Sequence, residues 1–329
     1  MTNLERNPVE VECGDDAPTQ GTTVIEAREV PLGGPRAMTV RRSLPARGQT
    51  TIGAWCFLDH YGPDEIAETG GMVVPPHPHT SLQTVSWLFT GKVEHRDSTG
   101  VRAHVVPGEL NLMTAGSGVS HSEVSVRDEG APGVLHGVQL WTVLPKEHAQ
   151  VDARFEHFAP EPHHADGVRT SVFLGRLEVG GHALSSPVTT YSPLLGAELV
   201  LEPGATAYLG VDPTFEHGVL LDQGEVHASG CALAEHQLSH HPPGPRTLEL
   251  AAGPQGARVV LIGGPPFEEQ IVMWWNFIGR SHEEIVEARE RWNAEQGQDR
   301  QGRFGSFDYP DDEWLPAPDL PRVRLRPRG

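Results

Sequence analysis

The chain has 329 residues, which is long enough for two modest domains that each bury a core. Its 44 acidic and 25 basic residues give a formal net charge of −19. This charge argues against direct nucleic-acid binding, because an acidic surface repels phosphate backbones. No apolar run reaches the roughly 18 residues of a membrane helix, so the composition predicts a soluble globular protein.

The N-terminal segment and the cysteines predict the compartment. Residues 1–16 are acidic and contain no apolar stretch, unlike a secretory signal. Cys13, Cys56 and Cys231 are odd in number and far apart, which argues against a disulfide framework and fits a reducing environment. The sequence therefore predicts a cytoplasmic protein.

The first half reads as a series of short strands. A polar tail over 1–21 is predicted to be disordered. The 37 glycines and 29 prolines are spread along the chain and indicate many turns, such as Pro107-Gly108. Evenly spaced short strands are typical of a sandwich or barrel. The predicted strands are 22–30, 38–44, 54–60, 83–91, 92–97, 101–108, 109–116, 119–126 and 134–144.

A second β series follows a segment over 146–167 that is rich in histidine, proline and glutamate and is predicted to be a crossover linker. Both halves contain a strand that ends in a Pro-Gly turn, Pro107-Gly108 and Pro203-Gly204, which indicates a weak internal duplication of one barrel unit. The predicted strands of the second half are 168–177, 187–195, 197–204, 205–211, 217–226 and 257–264.

One helix is predicted near the C-terminus. Ser281 and Glu284 form a capping box, and Gly297 ends the run. Between them, apolar residues recur at helical spacing: Ile285, Ala288 and Trp292. The stretch after the helix is predicted to be an extended arm, so 281–329 forms a helix-and-arm unit.

The histidines suggest a metal site. His77 and His79 are two residues apart, so on a strand both side chains point to one face. His121 and Glu123 repeat that spacing further along the chain, and antiparallel winding can bring the two pairs together. Three imidazoles and one carboxylate suit Fe(II), Mn, Ni, Cu or Zn and leave coordination positions open. The other histidines are interpreted as surface or hydrogen-bonded core residues: His95, His104, His136, His163, His164, His240 and His241.

The segment HPHTSLQTVSWLFTGKVEHRDSTG, continued by VPGELNLMTAGSGVSHSE, resembles the signature of the pirins, members of the cupin superfamily. The resemblance is dense over 36–145. It implies an all-β bicupin of two stacked double-stranded β-helix (jelly-roll) barrels with a short C-terminal helix. The implied domains are a metal-binding barrel over 22–145 and a metal-free barrel over 168–280, where Tyr208, Leu209 and Gly210 stand in place of a second HxH. The resemblance also implies one metal, most simply Fe(II), in the first barrel, with ligands that fall on His77, His79, His121 and Glu123.

The motif departs from the family pattern at four positions, two of which replace a charged residue. Pirins usually read HPHRGFET, whereas this chain has Thr80 in place of the arginine and Gln83 in place of the glutamate. Neither position is among the four implied ligands, so metal binding is expected to survive. The two changes are expected to alter the rim of the metal cavity and to remove a cation from its mouth.

The resemblance implies two main functions. Some pirins are similar to quercetin 2,3-dioxygenases, which open a flavonol ring with O2. In this reading the metal acts as a Lewis acid on the flavonol 3-oxygen, Glu123 accepts the proton and Gln83 donates to a substrate carbonyl. An apolar wall, or alternatively only core packing, is expected from Trp87, Phe89, Leu112 and Met113.

The alternative function is an iron-dependent, redox-responsive regulator that binds a protein partner, which the charge of −19 fits better than DNA. A cupin that acts on some other small molecule is the third reading.

Overall fold

The structure is a computed structural model that describes residues 21–32, 38–127, 130, 133–295, 301–309 and 314–328. Apart from Gly21, the predicted disordered tail lies outside these ranges, as does the predicted helix stop at Gly297. Within the described ranges, the longest apolar helix falls short of what is needed to cross a membrane.

The first half is built from strands, as predicted, with one short helix, α1 (Ile66–Thr69), between the fourth and fifth. The strands are β1 (Thr23–Ile25), β2 (Arg28–Leu32), β3 (Met38–Leu44), β4 (Trp55–Glu65), β5 (Val73–His79), β6 (Leu82–Thr90), β7 (Val93–Asp97), β8 (Arg102–Val105), β9 (Leu110–Thr114), β10 (Val119–Ser125) and β11 (Val134–Val143).

Two antiparallel sheets form the first barrel. The larger has the order β12-β9-β6-β11-β4-β3-β2, where β12 is Arg154–Phe158, and the smaller has the order β5-β10-β7-β8. Strand β12 follows a 3₁₀ turn at Lys146–His148, and both lie in the segment predicted as a linker. The small sheet contains both predicted ligand pairs, one at the C-terminal end of β5 and one in the middle of β10.

The second barrel is one antiparallel sheet that curves onto itself, with the main order β1-β21-β19-β22-β17-β14-β13. Its strands are β13 (His163–Ala165), β14 (Val168–Leu174), β15 (Arg176–Val179), β16 (His182–Ser185), β17 (Leu195–Leu201), β18 (Thr206–Gly210), β19 (Glu216–Ala228), β20 (Cys231–Leu233), β21 (Leu238–His241) and β22 (Thr247–Gly264).

Three strand predictions were wrong. The run 168–177 divides at Gly175 into β14 and β15, which have different partners. The run 22–30 is not one strand, because β1 pairs with β21 of the second barrel whereas β2 pairs with β3 of the first. The chain must therefore change sheets between them. The run 187–195 is irregular up to Leu195, where β17 begins. Pro187 and Pro193 lack the N–H that a ladder strand donates, which explains this miss.

The two barrels share a core. Trp87 of β6 stacks on Phe173 of β14 at 4.7 Å between ring centroids, and its indole N–H donates to Glu198 at 3.0 Å. At a second point the two backbones meet directly: a Cβ on Gly53 would lie 2.6 Å from the Cα of Gly264, so only glycine fits there.

The C-terminal residues return to the first barrel. After the hairpin of β23 (Val272–Trp274) and β24 (Phe277–Gly279), helix α2 (His282–Glu295) begins at the predicted Ser281 cap. The three predicted apolar residues of α2 are buried. The arm then crosses the small sheet, where the N–H of Leu315 donates to the carbonyl of Pro76, one residue before His77.

Glu216 connects the barrels through a buried hydrogen bond, and its removal should destabilise the fold. One carboxylate oxygen accepts from the backbone N–H of Gly53, and the other lies 2.8 Å from His240 Nε2. Glu216→Ala leaves that buried N–H without an acceptor, so we expect a loss of about 1–3 kcal/mol in the free energy of unfolding. Urea denaturation measures it. Glu216→Gln keeps the acceptor and should lose less of the free energy of unfolding. Equal urea midpoints for wild type and Glu216→Ala would refute the stabilising role of this hydrogen bond.

Candidate metal centre

Strands β5 and β10 bring the two predicted pairs together. They are antiparallel neighbours, and His77 lies directly opposite His121. A β-bulge follows His121, so Glu123 pairs across with Val74 on β5 and with His95 on β7. The bulge shifts Glu123 away from the HPH pair, which the simple period-2 argument did not foresee.

Three histidine rings converge in the interior of the first barrel. His77, His79 and His121 are fully buried and offer ligand atoms that all lie within 4.8 Å of one another. His121 also belongs to a second such group with His95 and Glu123. The structure therefore brings the predicted residues into two overlapping groups that share His121, and the assignment of all four as ligands stays a prediction.

Hydrogen bonds fix the tautomer of two of these rings. Nδ1 of His77 lies 2.9 Å from the carbonyl oxygen of Pro75, and Nδ1 of His79 lies 3.0 Å from that of Asn276. A carbonyl only accepts, so each Nδ1 carries the proton and each Nε2 presents a lone pair. The Nε2 atoms of all three histidines are buried and have no partner among the described residues. This arrangement fits a bound cation.

Burial keeps these rings neutral. Desolvation lowers the pKa of His79 to about 3 and the pKa of His77 and His121 well below the usual histidine value. The neighbouring imidazoles add to the effect at His77 and His121, because two positive charges so close would repel. Near neutral pH, protons therefore compete little with a metal ion for these nitrogens.

His95 is a site residue that sequence reasoning missed. It is buried on β7, with Nε2 3.0 Å from Asp97 Oδ2 and Nδ1 3.5 Å from His121 Nδ1. Because the carboxylate accepts from Nε2, Nδ1 of His95 is left as an acceptor toward His121, which directs the His121 Nε2 lone pair inward. The sequence signal that could have identified His95 is its place in an alternating strand. Val93, His95 and Asp97 are buried there, whereas Glu94 and Arg96 are less buried.

Aromatic and polar side chains line the barrel interior beside the histidines. Trp141 stacks on Phe57 at 4.1 Å and meets the His79 ring edge-on at 5.0 Å. Two buried donors there have no partner among the described residues, namely Trp141 Nε1 and Gln139 Nε2. Gln139 accepts from Ser86, whose hydroxyl also lies 3.4 Å from Glu123.

Of the two readings of the apolar residues, core packing holds for Trp87, Phe89 and Leu112, because strand β6 presents its other face to the centre. Ser86 points toward Glu123, so the alternate residues Gln83 and Trp87 point toward the second barrel. Phe89 also lies there, against His136, and Leu112 pairs beside Val85 on the same face. Of the proposed wall, the register leaves only Met113 on the interior face.

The two residues that replace charged residues of the pirin motif occupy ordinary structural positions. Gln83 donates a hydrogen bond to Thr114 at 2.9 Å. It does not lie at the rim of the metal cavity, where the sequence led us to expect it. Thr80 donates to the carbonyl of Ile278 at 3.0 Å and borders a cavity of about 360 Å³. Arg291 and Arg303 also line that cavity, so residues near the C-terminus provide positive charge there.

Two stacked antiparallel barrels, one with a buried histidine cluster, define the chain as a bicupin with a candidate metal centre. Two family models match it: Pirin over residues 37–142 and the Pirin C-terminal cupin domain over 196–298. The chain belongs to the pirin family. Together with the histidine cluster, this membership implies a bound metal ion.

Individual relatives align with this chain over nearly its whole length. A Pseudomonas aeruginosa protein provisionally named a quercetin 2,3-dioxygenase is 39% identical over 98% of both chains. A pirin-like protein of Caulobacter vibrioides is 34% identical over 90% of this chain and 99% of its own length. Among solved structures, a quercetin 2,3-dioxygenase from Acinetobacter baumannii superimposes with a TM-score of 0.83 at 35% identity, covering 94% of this chain and 98% of that one.

His95 should contribute to metal affinity although it is not one of the predicted ligands. His95→Ala removes the acceptor that orients His121, and we expect metal affinity to fall about 10–100-fold. Competition with a chromogenic chelator measures the affinity. His104→Ala, an exposed histidine on the neighbouring strand β8, is the matched control. An unchanged affinity in His95→Ala would show that His121 needs no such support.

Proposed function

We propose that this chain is a metal-dependent oxygenase of the quercetin 2,3-dioxygenase type, which opens the ring of a flavonol or similar enol with O2. The observation that carries the proposal is the set of three buried Nε2 lone pairs that face a barrel interior lined by an aromatic pair and by unpartnered donors. The names of the Pseudomonas and Acinetobacter proteins support it.

The metal itself is proposed to be Fe(II), with Mn, Ni, Cu or Zn as alternatives, held by His77, His79, His121 and Glu123. Neutral imidazoles and one carboxylate suit any of these ions. When bound, the ion would supply Lewis-acid polarisation of an enol oxygen. Four protein ligands would leave coordination positions open to substrate.

Glu123 is proposed to accept the proton of the substrate hydroxyl. Its carboxylate is buried, and one oxygen lies 3.4 Å from Ser86 Oγ, whose proton is donated to Gln139. Burial raises the pKa of Glu123, but hydrogen bonding and nearby charge, including that of His95 and His77, outweigh burial and hold the pKa below its usual value. The carboxylate is therefore ionised near neutral pH and able to accept a proton. Its place in one group with His121 and His95 supports this role.

The interior residues are proposed to hold the substrate. The stacked Phe57 and Trp141 rings offer an aromatic surface for a flat ring system. Gln139 Nε2 and Trp141 Nε1 can donate to a carbonyl or hydroxyl oxygen, and a substrate that provides such oxygens would satisfy two buried donors. Arg42 of β3 and Asp59 of β4 form a buried ion pair, with N–O distances of 2.7 and 2.9 Å. The pair holds these two strands together beside Phe57.

The regulator reading uses the same centre and stays an alternative. It would require a protein partner whose binding depends on the oxidation state of iron, and the net charge of −19 favours a protein over nucleic acid. The predicted cytoplasmic location likewise stays a prediction.

Turnover of quercetin tests the proposed function. Full-length protein is stripped with a chelator, reloaded separately with Fe(II), Mn(II), Ni(II), Cu(II) or Zn(II), and supplied with quercetin and O2. We expect loss of the visible absorbance of quercetin with release of carbon monoxide, and no reaction in His121→Ala. If no metal supports turnover while a known quercetinase works in parallel, the flavonol proposal fails and the regulator reading gains.

Glu123→Gln tests the proton acceptor. The amide has nearly the same size but is not basic, so we expect kcat per bound metal to fall about 10²–10⁴-fold. Metal content is measured on the same samples, because Glu123 is also a predicted ligand. Glu94→Gln is the control, since Glu94 lies on β7 and pairs with Arg96 and Arg102 away from the centre. Undiminished turnover per metal in Glu123→Gln would exclude this role.

A further inference from the structure

A second group of ligating side chains lies between the barrels. His60 of β4 and His136 of β11 come from the first barrel, and Asp222 of β19 comes from the second. Each imidazole Nε2 lies 2.6 Å from the same oxygen, Asp222 Oδ1, and the two Nε2 atoms are 3.3 Å apart. All three residues are buried.

The group suits a cation better than it suits two protons. If both Nε2 atoms are protonated, both hydrogens point at one oxygen and crowd each other. One metal ion in their place would bind all three atoms. Ligand atoms around an ion at bond lengths of about 2.0–2.2 Å lie roughly 3 Å apart, so the side chains need to move by only a few tenths of an ångström.

The surroundings already orient the carboxylate. Arg258 Nη1 lies 3.2 Å from Asp222 Oδ2, which leaves Oδ1 for the two imidazoles. Arg258 is in turn 3.6 Å from Glu198, so its charge is partly balanced. A ligating carboxylate held through its other oxygen is the usual arrangement at metal sites.

Aromatic rings enclose the imidazoles. His236 stacks on His60 at 4.9 Å between centroids, and Phe89 meets His136 edge-on at 4.9 Å. Arg258 also lies over the Phe89 ring, at 4.8 Å. Packing from both barrels therefore limits the rotamers of the three candidate ligands, as a preformed site requires.

We infer that His60, His136 and Asp222 bind one divalent transition metal ion, at a site distinct from the histidine cluster of the first barrel. Two imidazoles and one carboxylate form a ligand set for Zn(II), Co(II), Ni(II) or Fe(II) with positions left for water. Because the ligands come from both barrels, the ion would also link them, and its binding should raise the thermal midpoint of the whole chain.

Cobalt stoichiometry in a paired set of variants tests the site. Chelator-stripped full-length protein is dialysed against Co(II), and bound cobalt is counted by mass spectrometry together with its visible absorption. We expect two equivalents in wild type and one in a His77→Ala/His79→Ala variant that lacks the first centre. Adding His136→Ala to that background should remove the remaining equivalent. The count in that background does not depend on the proposed oxygenase activity.

The controls separate ligation from folding. Asp222→Asn keeps the side-chain volume and should also lose the second equivalent; circular dichroism checks that each variant is folded. His157→Ala breaks an exposed pair with Glu109 and should keep both equivalents. A single equivalent in wild type that disappears with His77 and His79, or a second equivalent that survives both His136→Ala and Asp222→Asn, would overturn the inference.

Discussion

The burial of three imidazole lone pairs is the constraint on which the first barrel depends. A buried polar atom without a partner costs about 1–3 kcal/mol, and three such atoms lie together here among the described residues, which favours a bound cation. The neighbours explain this orientation: the carbonyls of Pro75 and Asn276 accept hydrogen bonds from Nδ1 of His77 and His79, and His95 faces Nδ1 of His121. The rings therefore cannot turn their lone pairs elsewhere, and the centre is prepared before any ion arrives.

This preparation involves distant parts of the chain. Asn276, which orients His79, belongs to the turn between β23 and β24, far along the sequence. The arm beyond α2 bonds to Pro76 through Leu315, and Ile271 pairs with Arg328 near the end of the described chain. The C-terminal segment therefore acts as part of the metal-binding barrel, although in sequence it follows the second barrel. The match to relatives over nearly the full length is consistent with this dependence.

The sequence predicted what is local and missed what depends on packing. Two i,i+2 pairs on antiparallel strands needed only the strand period, and they do meet at His77 and His121. The period alone does not tell which face of β6 is interior, and for that reason the sequence could not decide whether Trp87 lines the centre or packs in the core. Assigning it requires knowing that the second barrel packs on the other side, where Glu198 receives its N–H. His95 was missed for a related reason, since its role depends on a strand neighbour distant in sequence.

The same strands serve the centre on one face and the barrel interface on the other. In β4, Asp59 is paired with Arg42 in the first barrel, whereas the next residue, His60, reaches Asp222 of the second. In β6, Ser86 approaches Glu123 while the next residue, Trp87, bonds to Glu198. A one-residue slip in either strand would exchange the two faces and disrupt both environments at once. The register of the large sheet is therefore constrained from both sides, so the geometry of the centre and the docking of the second barrel are set by one and the same pairing.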